Sequence, residues 1–99
     1  MDDRRISEMR NLGPACERDL NAVGIMTAED VKALGPKETF LRMLAGRADK
    51  GTARKCCNAA YLYAFYGAIH DMDWRDVPAK KKAEFKQFTA ELRQSRQFG

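Results

Sequence analysis

From Cys56 to Ile69 the chain carries no charged side chain: the run reads CCNAAYLYAFYGAI, and His70 and Asp71 follow it. A helix that is apolar nearly all round has to be covered on every side. The run is shorter than the roughly 20 residues that a bilayer core demands, so protein must supply the cover. Such a helix is the central post of a bundle, and the pattern predicts it over residues 52–70 with Thr52 as cap. Ala60, Ala64 and Ala68 are four apart, with Gly67 beside them, and form a smooth stripe for another helix to close on. Tyr61, Tyr63, Phe65 and Tyr66 read as core packing, with one or two tyrosines reaching the surface at a protein interface and stacking on bases as the alternative. Trp74, in the short link beyond, reads as a wedge between this helix and the last one.

The remaining sequence has to wrap that post, and its punctuation is helical. Ile6, Met9 and Leu12 recur at helical spacing behind Asp2 or Asp3 as cap. Asn11-Leu12-Gly13-Pro14 breaks this first helix and opens a second on Pro14. Cys16, Leu20 and Val23 give the second helix one apolar face, with Glu17, Arg18 and Asp19 largely opposite. Gly24 stops it, and Ile25 tucks back under the turn. Thr27 caps a third helix whose Glu29 and Asp30 oppose the dipole and whose Val31 and Leu34 point inward. Gly35 ends it and Pro36 opens a fourth, with Phe40, Leu41, Met43 and Leu44 as its buried stripe. Residues 46–51 (GRADKG) read as the one substantial loop. Pro78 opens a last helix with Ala83, Phe85, Phe88 and Leu92 inward. The expectation is an all-α fold of about six helices, helix-hairpin-helix-like, in a single domain over residues 1–99.

Composition agrees with a small globular chain. Ninety-nine residues support one core, and 44% apolar with 32% charged side chains is ordinary for such a domain. The N-terminus, MDDRRISEMR, is polar from the start and does not read as a signal peptide. Cys16, Cys56 and Cys57 are odd in number and two are adjacent, which argues against a disulfide framework and for a reducing cytoplasm.

At this point the ordered set NLGP, a short helix, VGI, TAEDVKALGP, YLYAFYGAIHDMDW and RDVP resembles the C-terminal domain of the TfoX (Sxy) family, from about Ile6 to the start of the last helix. Those proteins are bacterial regulators of competence for DNA uptake. The resemblance implies a helix-hairpin-helix-like fold and a role in transcriptional control of competence genes. Full family members carry an α/β part ahead of this one, so the expectation is a free-standing copy of the second domain. The resemblance brings no catalytic residues with it.

Charge locates the candidate contacts. Residues 1–36 hold five basic and seven acidic side chains, residues 37–55 six and two, residues 56–74 only Asp71 and Asp73, and residues 75–99 seven and three. The excess of the +4 net charge thus lies away from the two turns. Arg47, Lys50, Arg54 and Lys55, with Lys80, Lys81 and Lys82, are the candidate contacts for DNA or an acidic partner. A hairpin that grips phosphate offers a Gly-x-Gly turn, free N–H groups and nearby basic side chains. Here Asn11 and Gly13 stand at that turn with Arg10 and Arg18 near, but Pro14 removes a donor and Glu17 and Asp19 repel phosphate. The turns therefore read as structural corners, with phosphate contact through Asn11 and Gly13 as the alternative.

Chemistry finds little to work with. His70 lacks a third or fourth ligand at metal spacing, and Cys56-Cys57 lacks the gap of a zinc knuckle or redox pair. The sequence therefore points to a non-enzymatic cytoplasmic module with no cofactor, no metal and no small-molecule substrate. It docks on a protein of the transcription machinery; direct nucleic-acid binding through residues 47–55 and 75–86 is the alternative.

Overall fold

Apolar spacing and capping chemistry build four α-helices in the computed structural model, which describes residues 2–48 and 58–94. They are α1 (Pro14–Asn21), α2 (Ala28–Ala48), α3 (Ala59–His70) and α4 (Ala79–Gln94). Two single 3₁₀ turns, Ile6–Glu8 and Trp74–Asp76, complete the regular structure among the described residues. Among the described residues the fold is all-helical, with four helices in place of about six.

Two physical reasons account for the difference. Residues 2–5 do not cap a first helix; they run extended against the start of α2. The Ala28 N–H donates to the Arg4 carbonyl at 3.0 Å and the Glu29 N–H to the Asp2 carbonyl at 2.8 Å. The Asp2 carboxylate is taken by Arg4 and Lys32, which leaves room for one 3₁₀ turn only. The second reason is that the two helical segments on either side of Gly35-Pro36 follow one another with no loop between them. Gly35 takes a non-helical φ 82°, ψ 170°, so one segment does end there and the next does open on Pro36, as the Gly-Pro signal predicts. The two merge across this kink into one element that runs to Ala48. The helix also passes through Gly46, so residues 46–48 of the expected loop are helical, and residues 49–51 lie outside the described residues.

Local signals hold elsewhere. The Thr27 Oγ1 accepts from the Asp30 N–H, and the Asp30 carboxylate accepts from the N–H groups of Met26 and Thr27, a reciprocal N-terminal cap. Gly24, at φ 84°, turns the chain after α1, and the Ile25 N–H returns to the Leu20 carbonyl at 3.0 Å. Helix α4 starts after Pro78, whose carbonyl accepts from the Lys82 N–H.

Helix α3 is the post. Leu62, Tyr63, Phe65, Gly67 and Ala68 are buried, and its most extensive contact is with α2. Phe40, Met43 and Leu44 of α2 meet it with Phe85 of α4 and with Ile6, Leu20 and Ile25 from the N-terminal part. Its cap is Asn58, which accepts from the Ala60 N–H at 3.0 Å, while Thr52 lies outside the described residues. The alanine stripe does not form a helix seam: Ala60 is exposed, Ala64 half-buried and only Ala68 buried. In α4 the inward set is Phe85 and Thr89 with Phe88 and Leu92 partly covered, and Ala83 faces water. Thr89 satisfies its hydroxyl on the Phe85 and Lys86 carbonyls, which is how a polar residue holds a core position.

Candidate functional site

The first corner is where a phosphate grip would have to form, and the side-chain amide of Asn11 is already engaged there. Asn11 sits in the left-handed region at φ 72°, a conformation that Asn tolerates better than most residues. Its side-chain N–H₂ donates to the Met72 carbonyl at 2.9 Å and to the Ala64 carbonyl at 3.4 Å. Its Oδ1 accepts from the Trp74 N–H at 3.2 Å. One amide therefore ties the corner to the end of α3 and to the turn beyond it. Gly67 makes the approach possible: a Cβ there would run into Asn11 Nδ2 and the Met72 carbonyl oxygen. Gly13 takes an extended φ of −122° and serves as N-cap of α1, so the left-handed residue of this corner is Asn11.

Two carboxylates around the corner are likewise committed. Glu17 reaches back from α1 to accept from the Ser7 N–H at 2.9 Å and from Arg5 at 3.0 Å. The Ser7 N–H, then the Arg5 guanidinium, hold its carboxyl down at about 2. Asp73 caps the Trp74–Asp76 turn through the Arg75 N–H and forms a two-point pair with the Arg75 side chain. That pairing brings Asp73 to about 2, and the charge of Arg10 adds to it.

Trp74 is not a wedge. Its backbone is fixed by Asn11, but 45% of its surface stays exposed, because the turn carries the indole out over α3 instead of between α3 and α4. It forms one rim of an open apolar pocket of about 270 Å³ whose floor includes Leu12, Cys16, Tyr61, Ala64 and Phe65. The space that a helix was expected to fill beside Ala60 and Ala64 is this pocket. Tyr63 and Phe65 are buried as expected, and Tyr61 and Tyr66 half-buried. The Tyr63 hydroxyl donates to the Lys82 carbonyl at 3.4 Å, and burial pushes its pKa up. His70 is exposed at the end of α3, its ring 4.3 Å from that of Tyr66.

A second concavity of about 590 Å³ lies where the kink of α2, the end of α3 and α4 meet. Lys37 of α2 crosses it to Glu84 of α4 at 3.0 Å, and Lys81 reaches the same carboxylate at 3.4 Å. The Lys37 ammonium, then Lys81, keep the Glu84 carboxyl below its ordinary range.

Of the basic candidates, Lys80, Lys81 and Lys82 occupy the first turn of α4, but they do not act alike. Lys80 is exposed, Lys81 is shared with Glu84, and the Lys82 ammonium donates to the Arg75 carbonyl at 3.1 Å. Arg47 lies in the last turn of α2, and its side chain falls outside the described residues, as do Lys50, Arg54, Lys55, Cys56 and Cys57. Among the described residues, no group of three His, Cys, Asp or Glu side chains is placed to hold a metal, and no helix is long and apolar enough to cross a membrane.

Comparison with known proteins adds a family. Residues 2–89 match the model of the TfoX C-terminal domain. An uncharacterised protein from Listeria monocytogenes, solved in a triclinic crystal form, is 32% identical with a TM-score of 0.75 over 90% of this chain and 93% of that one. A tetragonal form, of a Listeria monocytogenes protein described as of unknown function, is 33% identical with a TM-score of 0.72 over 88% and 98%. No curated protein matches the chain.

Proposed function

The chain belongs to the TfoX C-terminal domain family, and from that premise we propose that it is a non-enzymatic cytoplasmic docking module in the control of competence for DNA uptake, acting on a protein of the transcription machinery. The observation that carries the reading is the fate of Asn11. The residue that a phosphate-gripping turn would turn towards DNA spends all its side-chain hydrogen bonds inside the chain, on Ala64, Met72 and Trp74. The corner is a clasp. What the surface offers instead are two partly apolar concavities, and the rim of one carries an indole on a fixed backbone, the kind of side chain that anchors protein interfaces.

Direct nucleic-acid contact is the second reading, favoured by the exposed Lys80 at the head of the basic α4. Lys81, Lys82 and the residue 47–55 cluster would join it. Affinity-tagged protein incubated with bacterial extract, with and without nuclease, separates the two. A partner retained after nuclease supports protein docking; loss of every partner on nuclease treatment supports nucleic acid.

A further inference from the structure

The cleft between α2 and α4 has an apolar floor and charged walls: Lys37 and Glu38 on the α2 side, Lys81 and Glu84 on the α4 side, with Glu38 drawn off by Arg42 at 3.1 Å. Leu34, Leu41, Tyr66 and Phe88 line the floor, and each keeps part of its surface open. Lys37 stands on the α2 wall with its ammonium 5.2 Å from the centre of the Phe88 ring, held at the edge of the floor by cation–π attraction. Lys81 stands on the α4 wall. Residues 34–42 and 79–94, which supply the two walls, carry seven basic side chains against three acidic ones.

We propose that this cleft docks an acidic amphipathic helix of a partner protein, whose apolar side chains enter the floor while its carboxylates take Lys37 and Lys81 over from Glu84. The proposal rests on the docking-module reading and gives it a surface and a partner chemistry. Glu84 marks the place: a carboxylate is already seated between the two ammonium groups, so the geometry accepts one. Its side chain is 41% exposed, and ion pairs at such exposure are weak enough to be exchanged. The concavity of about 590 Å³ has room for the few large side chains that a helix lays into a groove at i, i+3, i+4 and i+7. Duplex DNA fits poorly, because its phosphates could meet the lysines but its apolar groups lie within the grooves and do not project as side chains into a concave floor.

The test uses the whole chain and a labelled helical peptide with leucines at i, i+3, i+4 and i+7 flanked by glutamates, read by fluorescence anisotropy. Saturable binding is expected, and the same peptide with lysines for glutamates should not bind. Lys37→Gln with Lys81→Gln should weaken binding about tenfold, as the loss of two exposed pairs allows. Glu84→Gln should tighten it, by up to about threefold, because the internal competitor is gone. Lys86→Gln removes the same charge outside the cleft lining and should change binding by less than about twofold, through the screened general field alone. All four sites are at the surface, and circular dichroism checks that the variants fold.

Equal binding of the lysine-flanked peptide, or an equal loss from Lys86→Gln, overturns the proposal. So does weaker binding by the Glu84→Gln protein. If a nuclease-resistant partner is captured from extract and the acidic peptide still does not bind, the cleft assignment fails alone. If capture is abolished by nuclease and duplex DNA binds in place of the peptide, the docking-module reading fails with it.

Discussion

Asn11 combines two requirements that can be separated by substitution. Ala there would lose the hydrogen bonds to Ala64, Met72 and Trp74 and would also have to adopt φ 72°. Lost bonds to partly buried carbonyls cost about 1–3 kcal/mol, and the left-handed backbone adds about 1–2 kcal/mol for a residue with a Cβ. Gly accepts the backbone and still loses the bonds. Urea denaturation should therefore place Asn11→Gly between the parent and Asn11→Ala; equal stability of all three would show that the clasp contributes nothing. Trp74→Ala should cost less than about 1.5 kcal/mol, well below the 3–5 kcal/mol of a buried aromatic, since nearly half of the indole is in water. Thr39 is different again. It is fully buried and its hydroxyl has no hydrogen-bond partner among the described residues, so Thr39→Val should be neutral or stabilise by up to about 1 kcal/mol in the same experiment.

At the scale of elements, the sequence discloses whatever is decided within a few residues. The cap at Thr27, the turn at Gly24-Ile25, the start after Pro78 and the polarity change that ends α3 all depend on neighbours in the chain, and all are where the pattern places them. The residues that were misread depend on partners far away. Ile6–Glu8 stays a single turn because residues 2–5 pair with the start of α2. Trp74 is exposed because Asn11, sixty-three positions back, fixes its backbone. Ala64 borders a pocket because, among the described residues, no helix covers that side of α3. No periodicity in the sequence encodes those contacts, and the candidate site is made of them. Only its charge could be read: the basic character of α4 was visible, whereas the sharing of Glu84 by Lys37 and Lys81 was not. The kink of α2 gives this scale its prediction. Gly35 has open space where a Cβ would go, but φ 82° is strained for any other residue. Gly35→Ala should therefore destabilise by about 1–2 kcal/mol through the backbone alone, as a shift in the denaturation midpoint reports.

For the molecule as a whole, the carboxylates set the pH dependence. Glu17 and Asp73 are each held at about 2, against 4.5 and 3.8 for the same groups unperturbed, and Asp30 and Glu84 are also lowered. Groups depressed in the folded state bind fewer protons there than in the unfolded chain. Their contribution is complete above about pH 5 and is lost as pH falls towards 2. Melting temperature should be flat on their account from neutrality to pH 5 and then fall, and Glu17→Gln should shrink that fall; an unchanged acid limb would contradict the assigned pairing of Glu17 with Ser7 and Arg5. The same internal pairing commits Glu17 and Asp73 within the chain. The central proposal is that the Asn11 corner is a structural clasp and that the chain works through protein contact elsewhere. Backbone amide shifts during a titration with duplex DNA at low salt test it most directly. The account predicts that the N–H signals of Asn11, Leu12 and Gly13 stay in place throughout, whatever happens along α4. Saturable shifts at those three amides that vanish as salt is raised would contradict it.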